Sequence, residues 1–150
     1  MESSNLLLYA ENALDYGVMG LLVLMSVVTL WLFIERMMFY SNVRTNDYEH
    51  RDTLEMDLTD NIGVISAIGA NAPYVGLLGT VLGIMLTFYT MGDVGAVDAK
   101  KIMMGLALAL KATAMGLVVA MPAIVAYTIV LRKVEKILTI YDVEQDKKEK

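Results

Sequence analysis

IMMGLALALKATAMGLVVAMPAIVAYTIVL, residues 102–131, is the stretch that decides the fold. As a helix rising 1.5 Å per residue, these roughly 30 residues reach about 45 Å, enough to cross a hydrocarbon core and continue beyond it. Lys111 is the only charge in the run. Read at alternating steps of four and three, Ala109, Thr113, Gly116, Ala120, Ala123 and Tyr127 fall on one line, with Met115, Val118, Val125 and Lys111 opposite. In a membrane, a face of small residues is the one that packs or borders a cavity. Thr113 brings a hydroxyl to that face and is the first functional candidate. Its ordinary alternative is a hydrogen bond back to the carbonyl one turn earlier.

Composition supports a membrane protein. Hydrophobic residues make up 57% of the 150 residues, and the mean hydropathy of +0.55 is well above that of a soluble domain. The net charge of -5 is modest and implies no nucleic-acid partner. Without cysteine, disulfides and thiolate metal sites are excluded, and the single histidine, His50, has no neighbouring ligand set. No catalytic or metal-binding constellation emerges, so an enzyme is not expected.

Outward from the long run, the chain divides into an all-α integral membrane protein with three transmembrane helices. Residues 1–16 carry three acids and no Lys or Arg. Ser3 and Ser4 suit the cap of a short helix with Leu7, Ala10 and Leu14 on one side, lying on the membrane surface, the alternative being a disordered terminus. Residues 17–34 form the first span, ended by Glu35 and Arg36, with Trp31 and Tyr40 placed for an interfacial aromatic belt. Residues 35–71 read as a charged, solvated connection followed by an extension of the second helix. The second span, residues 72–91, follows Pro73, a residue tolerated in a helix's first turn. Residues 92–101 are a short connection, residues 102–131 the third span, and residues 132–150 its helical extension and tail. Val134, Ile137, Leu138 and Tyr141 keep helical spacing among charges, so the third helix projects into water, and Pro122 is expected to bend it.

Orientation follows from the cations. Arg36, Arg44, Arg51, Arg132, Lys133, Lys136, Lys147, Lys148 and Lys150 share one side, against Lys100 and Lys101 on the other. The positive-inside rule then predicts a periplasmic N-terminus, a periplasmic 92–101 loop and a cytoplasmic C-terminus.

The second span adds a matching face. Gly76, Thr80, Gly83 and Thr87 recur at four, three and four, and Gly79 with Gly83 forms a GxxxG pair that permits close helix contact. Neither the second nor the third span holds an acid. Three helices do not enclose a water-filled path alone, so the small faces are expected to be combined in a homo-oligomer around something apolar and helical.

Ala72, Pro73, Tyr74, Val75, Gly76, Leu77, Leu78, Gly79, Thr80 and Val81, followed by Gly83, Ile84 and Met85, resemble the second-helix signature of the ExbB/TolQ family, whose larger relatives include the flagellar stator subunit MotA. Ala112, Thr113, Ala114, Gly116, Leu117, Ala120, Met121, Pro122 and Ala123, ending at Tyr127, resemble its third-helix signature. The match covers about 60 residues at the family's spacing and order, and the short connection of about 30 residues leaves little room for the insert of flagellar stators. The resemblance implies an inner-membrane transducer of the proton motive force, with protons as coupling ion and no cofactor. It further implies a pentamer around the transmembrane helices of two ExbD-like subunits, with rotation driven by proton passage past an ExbD-like aspartate and work delivered to a TonB-like protein. On this chain the matching cavity-lining threonines are Thr80 and Thr113, with Thr87 further along. Helix packing is expected from Gly76, Gly79, Gly83, Ala109, Gly116, Ala120 and Ala123.

Two positions stand apart. Where some family members carry a glutamate near the start of the third-helix signature, this chain has Leu108. Lys111 lies ten residues past Lys101, roughly 15 Å along a helix and near mid-bilayer, on the side away from Thr113. It either snorkels to headgroups, bonds carbonyls between protomers or pairs with an acid on a neighbouring chain. The competing readings are a TolQ-type subunit serving envelope integrity, a self-sufficient small channel or transporter, and a passive membrane scaffold. A channel lacks a coupling acid in spans two and three, and a scaffold would tolerate valine at Thr80 and Thr113.

Overall fold

A computed structural model describes residues 2–92 and 99–148. Helix dominates: α1 (Glu2–Asn42), a 3₁₀ turn (Thr45–Asp47), α2 (Arg51–Thr59), α3 (Ile62–Gly92) and α4 (Ala99–Lys148). Among the described residues, three helices are long and apolar enough to cross a membrane, over Asn12–Asn42, Ile62–Tyr89 and Ile102–Lys148. The expected all-α architecture with a long third membrane helix is therefore present.

Several boundaries differ from the sequence reading. No separate surface helix occupies residues 1–16, because α1 starts at Glu2 and runs on to Asn42. Neither Gly nor Pro occurs before Gly17 to interrupt it. The face expected from Leu7 and Ala10 lies outside the described side chains, as does most of the 92–101 connection. Pro73 is not in a first turn. α3 begins at Ile62, just after Asn61 turns the chain with φ 59°, a value asparagine tolerates better than most residues. Pro73 thus sits deep inside α3, where the Gly69 carbonyl loses its usual donor four residues on. Pro122 likewise lies inside α4, which continues past it to Lys148.

The helices share two cores. In the first, the fully buried Leu22 of α1 packs over Ile68 and Ala72 of α3 and over Val119, Ala120 and Ala123 of α4. The second lies at the charged end of the bundle, where a solvated connection was expected. Leu54 and Leu58 of α2 are 0% exposed and pack with Tyr40, Ile62, Val130, Val134, Leu138 and Tyr141. Burying each leucine contributes about 2 kcal/mol, which explains why the segment folds back despite its charges. Polar ties fasten it: Tyr40 donates to the Leu58 carbonyl at 2.7 Å, Arg36 to the Asp57 carbonyl at 3.1 Å, and Tyr141 to the Glu49 carbonyl at 3.1 Å. Thr45 donates to Glu144 at 2.6 Å, and Arg51 pairs with Asp142 at 3.2 Å. Burial, then a hydrogen bond to Asp57, pushes the Tyr48 phenol above its ordinary range. Tyr40 is accordingly a core residue as well as an end-of-span aromatic.

Candidate functional site

The site is a seam between α3 and α4, and glycine makes it possible. A Cβ added at Gly76 would lie 2.6 Å from the Ala112 carbonyl, 3.0 Å from the Thr113 Cα and 3.1 Å from the Gly116 Cα. One added at Gly116 would lie 2.7 Å from the Ala72 carbonyl. All of these neighbours are main chain, so the two helices touch backbone to backbone at this level. Gly83 extends the contact against Ala109, and at Gly79 both Ala112 and Val18 of α1 close in. Ala109, Ala120 and Ala123 are buried. The small faces predicted on the two helices therefore meet each other within one chain.

That approach brings the hydroxyls together. Thr80 Oγ1 lies 2.5 Å from Thr113 Oγ1, 2.9 Å from the Ala109 carbonyl and 3.3 Å from the Gly76 carbonyl. Thr113 Oγ1 is also 3.4 Å from the Gly76 carbonyl. A carbonyl only accepts, so the protons are best used with Thr80 donating to Ala109 and Thr113 donating to Thr80. This leaves accepting capacity on Thr113, the half-buried member of the pair. Thr29, Thr87 and Thr128 instead return their hydroxyls to carbonyls four residues back, at 2.9, 2.8 and 2.9 Å. For Thr113 that local partner would be the Ala109 carbonyl, which Thr80 occupies from the other helix.

Thr87 is not part of the pair. It lies two turns along α3, roughly 10 Å from Thr80, with its side chain against Gly105 of α4. Lys111 is exposed on the side of α4 away from the seam, as the helical count indicated. Sequence reasoning passed over Gly105, and it used Ala112 only as part of a family signature. Their signal was a second row, Gly105, Ala109, Ala112 and Gly116, at steps of four, three and four. Ala112 is 4% exposed and meets both Gly76 and Gly79.

Beside the seam, α1, α3 and α4 enclose a groove of about 180 Å³. α1 contributes Asn12, Asp15 and Val18, while Leu108 and Ala109 belong to the α4 wall. Among the described residues, no group of His, Cys, Asp or Glu is arranged to hold a metal ion.

This architecture has relatives. Residues 31–143 match the MotA/TolQ/ExbB proton channel family, and that range contains Thr80, Thr113 and the glycines between them. The chain belongs to this family. It is 54% identical over 123 residues to the biopolymer transport protein ExbB of Helicobacter pylori, covering 82% of this chain and 85% of that protein. It is 51% identical over 129 residues to ExbB of Aquifex aeolicus, covering 85% and 87%. An ExbB-like 2 biopolymer transport protein of Helicobacter pylori is 49% identical over 133 residues, covering 89% of each chain. In the MotA/TolQ/ExbB family the seam falls within the matched region, whereas Asn12 and Asp15 precede it.

Proposed function

We propose that this chain is an inner-membrane channel and motor subunit that couples the proton motive force, through an ExbD-like partner, to a TonB-like protein and so energises outer-membrane transport. It is a transport subunit and not an enzyme, in keeping with the family and with relatives named for biopolymer transport. The observation that carries the reading is the Thr80–Thr113 pair across a seam that only glycine permits. An uncharged hydroxyl pair suits a proton-handling site, because it accepts from a protonated carboxyl without adding charge of its own to the membrane. In this reading Thr113 meets the protonated form of an aspartate on the ExbD-like helix, with Thr80 holding the Thr113 hydroxyl in place. The working form is a homopentamer around the partner's helices, with the N-terminus periplasmic and the charged end of the bundle cytoplasmic. The exposed Lys111 has no carboxylate of its own chain within ion-pair distance among the described residues, and in the oligomer it pairs with an acid of a neighbouring chain. The relatives named ExbB favour this role over a TolQ-type one.

The test is complementation of a strain lacking this gene, scoring TonB-dependent uptake for wild type, Thr80→Val and Thr113→Val, with membrane levels and oligomer size measured alongside. Uptake lost while assembly persists is the expected result. Normal uptake by both variants would make the pair a packing feature and refute its role in coupling.

A further inference from the structure

The groove beside the seam holds a group that the motor reading does not use. Asp15, half-buried on α1, is the only ionisable side chain lining it among the described residues. Its surroundings are glycine, alanine, leucine and valine, apart from Asn12 one turn earlier on the same helix. Among the described residues, α3 and α4 contribute no titratable group to the lining, and Lys111 is exposed elsewhere on α4. Among the described residues, no hydrogen bond or ion pair engages the Asp15 carboxyl.

Further observations converge on this carboxyl. α1 presents the carboxyl to a groove whose other lining side chains are uncharged, and among the described residues no partner side chain is provided for it. The groove's 180 Å³ has room for roughly six waters at about 30 Å³ each, so hydration and proton delivery are sterically available. Asp15 precedes Arg36 by 21 residues, roughly 31 Å along α1, which sets it at the opposite face of the hydrocarbon core from Arg36. The groove also adjoins the threonine pair: Ala109 lines it, and the carbonyl of the same residue accepts from Thr80.

We propose that Asp15 is a proton-binding carboxylate of this chain, presented by α1 into a hydrated groove that leads from the outer membrane face to the Thr80–Thr113 seam. The proposal rests on the proton-channel reading above and adds to it a proton acceptor contributed by the outer subunit itself. The proton adds to a carboxylate oxygen from water in the groove and leaves by the same oxygen, with no other bond made or broken. Leu108 lines the same groove from α4, so a carboxylate introduced there would also border it.

The experiment compares wild type, Asp15→Asn, Asp15→Glu and the double variant Asp15→Asn/Leu108→Glu for energy-dependent uptake, in the full complex, with oligomer size checked. Wild-type uptake tests the function itself, so failure of that reading is separated from failure of this one. Asp15→Asn is expected to lower uptake by roughly tenfold or more, as loss of a proton-transfer group does, with assembly intact. Asp15→Glu or the double variant is expected to restore it, which a packing role for Asp15 would not allow. Wild-type uptake by Asp15→Asn, or a loss that neither carboxylate variant reverses, overturns the proposal. Should Asp15→Asn fail to assemble, labelling of the wild-type complex with a hydrophobic carbodiimide decides. Modification at Asp15 supports a protonated carboxyl in the groove, and its absence overturns it.

Discussion

Substituting Gly76 by alanine tests the seam at its tightest point. The added methyl would lie 2.6 Å from the Ala112 carbonyl, and ordinary contact begins at 3.4 Å, so α3 and α4 must separate by about 0.8 Å. The obstructing atoms are main chain, and no side chain can rotate away to absorb the change. The same displacement would stretch the Thr80–Thr113 contact from 2.5 Å to about 3.3 Å and the Thr80–Ala109 bond from 2.9 Å to about 3.7 Å, past hydrogen-bonding range. Overpacking costs about 1–3 kcal/mol and the lost bond about 1 kcal/mol, while alanine returns about 1 kcal/mol of helix propensity. The net expectation is a destabilisation of about 1–3 kcal/mol, together with loss of uptake. Gly63→Ala is the control, since nothing lies within 4 Å of a Cβ at that position. The assays are the thermal midpoint of the purified complex in detergent and TonB-dependent uptake in cells. If Gly76→Ala matched Gly63→Ala in both, close backbone contact would not be what holds the threonines together.

Two other expectations concern sites away from the seam. Leu58→Ala removes a fully buried side chain from the second core and should cost about 2–5 kcal/mol, with Tyr40→Phe costing about 1 kcal/mol through its bond to the Leu58 carbonyl. Limited proteolysis between residues 43 and 61 should accelerate in that order. Lys111→Met should lower the temperature at which the oligomer dissociates; unchanged oligomer size, stability and uptake would exclude an ion pair between chains.

The three membrane helices were legible because length and apolarity alone define them, and the glycine and threonine rows because strict steps of four and three survive in sequence. Where those rows point was not legible. Thr80 and Thr113 were expected to look outward into a cavity shared by an oligomer, and their contact with each other depends on how closely Gly76 and Gly116 let two backbones approach. Periodicity describes one helix at a time and carries no interhelical distance. The second core was obscured by charge. Leu54, Leu58 and Ile62 recur at steps of four and face Val130, Val134 and Leu138, also at steps of four, yet the acids and arginines between them outweighed the pattern. Asp15 belonged to a terminal segment read as a surface helix or a disordered terminus, with its acids given no role. Its placement in the groove follows from α1 continuing unbroken upstream of the first span.

The continuity of α4 has a mechanical consequence. From Gly116 in the seam to Tyr141 in the second core, one helix runs without a break for 25 residues, about 37 Å. Pro122 removes one backbone hydrogen bond within that length, but the helix continues through it, so α4 can act as a lever with its fulcrum where the glycines touch. A tilt of about 5° at Gly116 would carry Tyr141 sideways by roughly 3 Å, enough to separate it from the Glu49 carbonyl it holds at 3.1 Å. Movements too small to open a path in the membrane would thus be magnified at the far end into the making and breaking of contacts.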